Sequence, residues 1–151
     1  MKLAEALIER ADLQRKIAQM EYRMRKNARV QEGDEPAEAV KKLMPEYESL
    51  MDDLERQIVK INITNSKTSF EDVTLAEAIT KRDCQKSKIR AYQELREAAT
   101  IEQDRYSNKE IKFIRCVDIV KLQEKIDGLS KGYRELDTKM QGLNWTTELM
   151  E

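Results

Sequence analysis

Apolar side chains recur every three or four residues along most of the chain, which is the spacing of amphipathic helices. Polar or proline- and glycine-containing segments divide the pattern into four stretches. They predict helices over 2–27, from Pro36 to 62–66 with a restart at Pro45, over 75–104, and from Asp118 to 143–147. We therefore predict an all-α fold, an antiparallel four-helix bundle of two long helical hairpins.

The last predicted helix has the most regular apolar seam, formed by Ile119, Leu122, Ile126, Leu129, Tyr133, Leu136, Met140 and Leu143. Gly128 and Gly132 lie beside this seam. Glycine costs about 1 kcal/mol against alanine in a helix, so the pair predicts close approach of another backbone. Long amphipathic helices with such a face favour a homo-oligomer, a dimer or larger.

One segment between the third and fourth helices has a different pattern. Residues 110–117 alternate imperfectly between polar and apolar side chains and are rich in β-forming types. They predict a short strand, which could pair with the extended piece near Val30. A small β-pair is therefore expected at the hairpin tips.

The chain also contains a sequence repeat. The stretch Leu3-Ala4-Glu5-Ala6 returns as Leu75-Ala76-Glu77-Ala78, and Asn62-Ile63-Thr64 is matched by Asn144-Trp145-Thr146. We interpret the chain as a single helical domain, 1–151, made of repeat 1 (1–73) and repeat 2 (74–151). Trp145 is expected to close the bundle core or, alternatively, to anchor a partner.

Composition excludes several classes of function. The 151 residues carry 38% charged side chains, a net charge of −1 and no histidine, which excludes Ser-His and Cys-His nucleophiles and His-ligated zinc. Mixed charges and the lack of a long apolar run argue against nucleic-acid and membrane partners. Glu5 and Glu9 would interrupt a signal peptide, so we expect a cytoplasmic protein with Cys84 and Cys116 reduced.

The strongest candidate site lies around two arginines. Arg10 interrupts the seam of the first predicted helix, and Arg82 occupies the matching repeat position. A partly buried guanidinium needs a partner. One interpretation is an anion or partner site, with Glu5, Glu9 and Glu77 as carboxylate ligands for Mg²⁺ or Mn²⁺. The other is an internal Arg–Glu network that fixes helix register.

A second candidate is Gln103-Asp104-Arg105, which is dense in hydrogen-bonding groups and could be an anion- or partner-binding loop or a helix-capping turn. Acidic pairs at Glu94/Glu97 and Glu124/Asp127 share only their spacing with the paired motifs of all-helical nucleotide pyrophosphatases. Such spacing also arises by chance in a highly charged chain.

Several segments resemble the septicolysin-like family of small bacterial helical proteins. They are Leu3-Ala4-Glu5-Ala6-Leu7, Val30-Gln31-Glu32-Gly33, Gln103-Asp104-Arg105-Tyr106-Ser107, Glu110-Ile111-Lys112-Phe113 and Leu143-Asn144-Trp145-Thr146-Thr147. The resemblance spans nearly the whole chain. It implies a helical fold but no activity, and the sequence lacks the length and tryptophan-rich loop of a thiol-activated cytolysin.

Two hypotheses for the function follow. The first is a cytoplasmic, self-associating helical scaffold or interaction protein, because no catalytic machinery or cofactor motif is evident. The alternative is a divalent-metal-dependent hydrolase or anion-binding protein, similar to nucleotide pyrophosphatases, that uses carboxylates and arginines of the bundle. The sequence does not decide whether the protein is an enzyme.

Overall fold

The computed structural model describes residues 1–100 and 111–151, and within them the chain is all-α, as predicted. Its elements are α1 (Leu3–Lys26), α2 (Val40–Lys67), β1 (Ser69–Phe70), β2 (Val73–Thr74), α3 (Leu75–Ala98) and α4 (Ile119–Thr146). None of these helices is long and apolar enough to cross a membrane.

The chain forms two compact units. Unit 1 comprises residues 1–76 and 141–151, and unit 2 comprises residues 77–140. Unit 1 thus holds α1, α2, the β-pair and both chain ends, whereas unit 2 holds most of α3 and α4. The predicted boundary between two repeats at 73/74 stays a prediction.

The helix α1 forms because its sequence is rich in Ala, Leu, Glu, Lys and Arg, which favour helix. At its start the Glu5 carboxylate accepts a hydrogen bond of 2.7 Å from the Lys2 backbone N–H. Arg23, Arg25 and Lys26 occupy its last turn, where positive charge interacts favourably with the helix dipole.

The helix α2 begins at Val40, so the prediction of a start near Pro36 was wrong. Tertiary contacts hold the preceding residues in another conformation. The Asn27 side chain accepts a hydrogen bond of 3.1 Å from the Glu38 N–H, and the Arg23 Nε donates one of 3.0 Å to the Glu38 carboxylate. The helix also continues through Pro45 without a restart.

The other end of α2 lies beyond the predicted stop at 62–66. The Thr64 hydroxyl donates to the Lys60 carbonyl (2.8 Å) and the Ser66 hydroxyl to the Ile63 carbonyl (2.8 Å). Both side chains thus bond within the helix instead of terminating it. The helix therefore runs to Lys67.

A short β-pair is present, but its predicted location at the hairpin tips was wrong. The strands β1 and β2 pair antiparallel in the connection between α2 and α3, with Ser69 opposite Thr74 and Phe70 opposite Val73. The chain reverses between these strands within two residues, and Glu71 adopts a positive φ of 52° in the turn. By contrast, residues 111–117 and the segment around Val30 contain no strand.

Each unit contains an antiparallel helical pair. In unit 1, the Gln57 side chain, late in α2, donates to the Ala6 carbonyl and the Glu9 carboxylate, early in α1, both at 3.2 Å. At the other end, Arg23, late in α1, donates to Glu38, just before α2. In unit 2, Arg82 contacts Asp137 and Arg96 contacts Gln123, so a step forward along α3 is a step back along α4.

The core of unit 1 is densest where α1 and α3 begin. Leu3, Ile61, Thr64, Phe70 and Leu75 are all buried there. The chain ends close the same region, because the Leu3 N–H donates to the Thr147 carbonyl and the Leu149 N–H to the Met1 carbonyl, each at 2.9 Å.

Trp145 does not belong to this core, so the prediction that it closes the bundle was wrong, whereas a role in anchoring a partner stays a prediction. Its side chain, in the last turn of α4, is 56% exposed. The adjacent Asn144 is buried instead, and successive residues of a helix point in directions about 100° apart.

The helix α3 is shorter than predicted, whereas the predicted start of α4 is confirmed. The helix α3 ends at Ala98, and the Arg115 Nε donates to the Ala99 carbonyl (3.1 Å) just beyond it. Asp118 caps α4 as predicted, accepting from the Lys121 N–H at 3.1 Å.

The predicted backbone contact at the two glycines is not found within the described chain. A Cβ at Gly128 would meet open space, and one at Gly132 would meet only the Gln85 side chain at 3.4 Å.

Candidate functional site

The predicted site residue Arg10 is only partly exposed, and its Nε is buried without a hydrogen-bond acceptor in the part of the chain that the structure describes. Its expected partners are engaged elsewhere. Glu5 accepts from the Lys2 N–H, and Glu9 accepts from Gln57. The predicted Arg–Glu network around Arg10 is therefore not formed by these two carboxylates.

Arg82, in contrast, has two acidic partners. Its guanidinium contacts Asp83 at 2.9 Å on the same helix and Asp137 at 3.1 Å on α4. Burial lowers the pKa of Arg82, but the hydrogen bonds and charges of these two aspartates outweigh it and raise the pKa overall. Arg82 thus joins α3 to α4 as a charged side chain.

The proposed carboxylate ligands do not form a ready metal site. Glu5, Glu9 and Glu77 are all exposed. Across residues 1–100 and 111–151, no three Cys, Asp or Glu side chains lie close enough together to hold a metal ion. Binding of Mg²⁺ or Mn²⁺ stays a prediction.

The remaining predicted candidates add no organised site. Gln103, Asp104 and Arg105 lie outside the described residues. The acidic pairs Glu94/Glu97 and Glu124/Asp127 are exposed, and Asp127 accepts a 2.9 Å hydrogen bond from Gln123 of its own helix.

The sequence did not single out a groove between α3 and α4 in unit 2. It has a volume of about 480 Å³ and an apolar floor that includes Ile89 and Tyr133. Three basic side chains, Lys86, Arg90 and Arg134, also line it. The spacing of Lys86, Ile89 and Arg90 on one helix face was a signal, but the sequence could not show that Arg134 joins them.

A second feature is an exposed apolar segment before α4. Ile111, Phe113 and Ile114 are 87%, 84% and 84% exposed. Within the described chain, residues 111–116 make no backbone–backbone hydrogen bond. The sequence indicated the β-forming composition of this segment, but among the described residues neither 111–117 nor the predicted partner around Val30 forms a strand.

With this geometry in view, comparison with known proteins places the chain in a family. The family described as "Family of unknown function (DUF6847)" matches residues 10–149. The chain belongs to this family. The match includes α2 to α4 and most of α1, so the groove and the exposed apolar segment lie within the family region.

A solved structure supports the same fold. The crystal structure of "a functionally unknown conserved protein from Corynebacterium diphtheriae" is 40% identical, covers 99% of both chains and has a TM-score of 0.88. No curated protein matches the chain. Neither match addresses the resemblance to septicolysin-like proteins, which stays a prediction.

Proposed function

We propose that the protein is a helical interaction protein that self-associates in the cytoplasm. The observation that carries this proposal is the exposure of Ile111, Phe113 and Ile114. Single exposed apolar side chains are common, but three large ones within four residues form a patch of the kind that contacts partners.

Incomplete burial along α4 supports the proposal. Of its predicted apolar seam, Leu122, Ile126 and Met140 are buried, whereas Leu129, Tyr133 and Leu136 are only half-buried. A pair of helices covers only part of the apolar face of each, and in helical bundles further helices cover the rest. A second copy of the chain would supply them.

The test is the association state of the whole chain by sedimentation equilibrium, from micromolar to near-millimolar concentration. We expect a dimer or larger species whose fraction rises with concentration. A chain that stays monomeric throughout this range would refute self-association.

A triple variant tests the apolar segment itself. Ile111→Ser, Phe113→Ser and Ile114→Ser together should weaken association about tenfold or more, because they remove exposed apolar area. Val30→Ser, a single exposed apolar residue after α1, is the control and should associate like the wild type. Equal association of the triple variant would exclude this segment as the contact.

Anion binding at Arg10 is a second candidate function. A metal-dependent hydrolase could use the same site to hold an anionic substrate. The buried Nε without an acceptor among the described residues favours it. Inorganic phosphate or a nucleotide with Mg²⁺ or Mn²⁺ should then raise the melting temperature of the wild type, because ligand binding stabilises the native state. Arg10→Met should abolish the shift and Arg15→Met, at an exposed position, should retain it. No shift with any of these ligands would refute the candidate.

A further inference from the structure

The outward side of α2 presents a stripe of alternating apolar and acidic side chains. Met44, Glu48, Met51, Glu55 and Val59 follow one another at intervals of three or four residues, so they share one side of the helix. All five are exposed, with Met44 and Val59 each at 49%. We call this set the acidic stripe.

The negative charges of the acidic stripe are not neutralised by ion pairs within the described chain. Neither Glu48 nor Glu55 forms an ion pair with another described residue. Methionine is enriched at protein interfaces, and unpaired carboxylates complement positive charge, so this helix side suits a basic, apolar partner.

The groove of unit 2 has the opposite character. Ile89 and Tyr133 supply apolar surface, and Lys86, Arg90 and Arg134 supply positive charge. Across residues 1–100 and 111–151, none of these three cations is in an ion pair. Among the described residues, no acidic side chain lines the groove. We call this set the basic groove.

The basic residues are arranged along the groove in a way that suits a helix. The contact between Arg82 and Asp137 fixes which residues of the antiparallel helices α3 and α4 lie opposite each other. One turn beyond this contact, Lys86 on α3 lies beside Arg134 on α4. Arg90 lies one more turn along. A docked helix would therefore meet positive charge at two successive levels.

We propose that the basic groove of one copy binds the acidic stripe of α2 from a second copy. Met44, Met51 and Val59 would cover Ile89 and Tyr133, and Glu48 and Glu55 would pair with the three cations. In a two-fold dimer this contact forms twice, because each copy carries both surfaces. The inference rests on the proposed self-association and adds a second contact beside that of the exposed segment Ile111, Phe113 and Ile114.

Charge reversal tests the contact directly. Glu48→Lys with Glu55→Lys makes the stripe basic, and Arg90→Glu with Arg134→Glu makes the groove acidic. Each double variant alone should dimerise at least tenfold more weakly than the wild type, because like charges would face each other in both contacts. Sedimentation equilibrium measures the effect.

Mixing the two double variants provides the decisive measurement. In the mixed dimer the basic stripe of one copy meets the acidic groove of the other, and the acidic stripe meets the basic groove. We expect dimers to return in the mixture and in the quadruple variant. If only the quadruple variant is restored and the mixture is not, the two surfaces meet within one chain and the proposal is wrong.

A matched control separates the contact from net charge. Glu124→Lys with Glu135→Lys makes the same charge change at exposed positions of α4 outside the groove, and should leave dimerisation unchanged. Wild-type dimers that tolerate both reversals would refute the contact but leave self-association standing. A monomeric wild type would refute the proposed function itself.

Discussion

Two arginines that hold matching positions in the sequence have different surroundings. Arg82 is tied to aspartates on two helices, whereas the Arg10 Nε finds no acceptor among the described residues. Part of the difference is local, because the Arg82 Nε donates to the adjacent Asp83 (3.0 Å), whereas Ala11 follows Arg10. The other part comes from α4, which brings Asp137 to Arg82. The repeat could not predict this second partner, because it is contributed by a distant part of the chain.

Removing the partner on α4 should destabilise unit 2. Asp137→Ala leaves Arg82, which is 23% exposed, without its contact between helices. We expect a loss of about 1–2 kcal/mol in the free energy of unfolding, between the values of exposed and buried pairs. Urea unfolding measures it. Asp83→Ala, which removes the more exposed partner, is the control and should cost less than half as much.

Two glycine-to-alanine substitutions should change the stability of the protein in opposite directions. Gly128→Ala should stabilise the protein by about 1 kcal/mol, because the position is helical and open to an added Cβ. Gly33→Ala should destabilise it by about 1 kcal/mol, because Gly33 has a φ of 89°. Thermal unfolding of both variants checks the signs. Destabilisation by Gly128→Ala would instead indicate that a second copy approaches this position.

At the scale of elements, the last turns of α2 and the end of the chain depend on one hydroxyl. Thr64 is fully buried, and its Oγ1 accepts a 2.9 Å hydrogen bond from the Met150 N–H while donating to the Lys60 carbonyl. A residue that resembles a helix terminator in the sequence therefore holds the C-terminal segment against α2.

Thr64→Val should release that segment. The substitution keeps the shape of the side chain but leaves the Met150 N–H without its acceptor, at a cost of about 1–2 kcal/mol. Urea unfolding gives the cost, and amide hydrogen exchange at Met150 should become faster. Thr146→Val is the control, because among the described residues that exposed hydroxyl bonds only to carbonyls of its own helix. Unchanged exchange at Met150 would contradict the prediction.

The start of α2 is linked to α1 by the pair Arg23–Glu38. A hydrogen bond from Arg23 is the main cause that holds the pKa of Glu38 below its usual value. A lowered carboxyl pKa adds stability above the unfolded-state value of about 4.3, and this stability is lost as pH falls through the folded-state pKa.

Acid unfolding tests this link. From neutral pH to below about 4, the wild type should lose stability more steeply than Glu38→Gln, because the variant lacks the titrating group. Chemical unfolding at a series of pH values compares the slopes. Glu148→Gln should have a similar effect, because Lys2 and the N-terminal amine lower the pKa of Glu148. Parallel slopes for wild type and Glu38→Gln would contradict the assigned pKa shift.

For the whole molecule, the proposed association combines apolar area with unpaired charges. Salt screens exposed charges strongly and apolar contacts weakly. If the basic groove binds the acidic stripe, the dimer dissociation constant should rise with sodium chloride concentration. Sedimentation equilibrium at low and high salt measures this. A dissociation constant that falls with salt would indicate a contact dominated by apolar surface.

The sequence by itself determined the all-α class, the approximate position of each helix and the Asp118 cap of α4. These features are local, because apolar spacing and capping residues act within a few turns of one helix. The exclusion of histidine chemistry needs no folded structure either, since it depends only on composition.

Tertiary structure alone decided the features that depend on contacts between distant residues. Glu38 bonds to Asn27 and Arg23, so α2 begins later than predicted. The β-pair lies at residues 69–74 and not at the hairpin tips, where the sequence predicted it. The basic groove likewise exists only because α4 brings Arg134 beside Lys86. A periodic pattern reports which side of a helix is apolar, but not what will cover it.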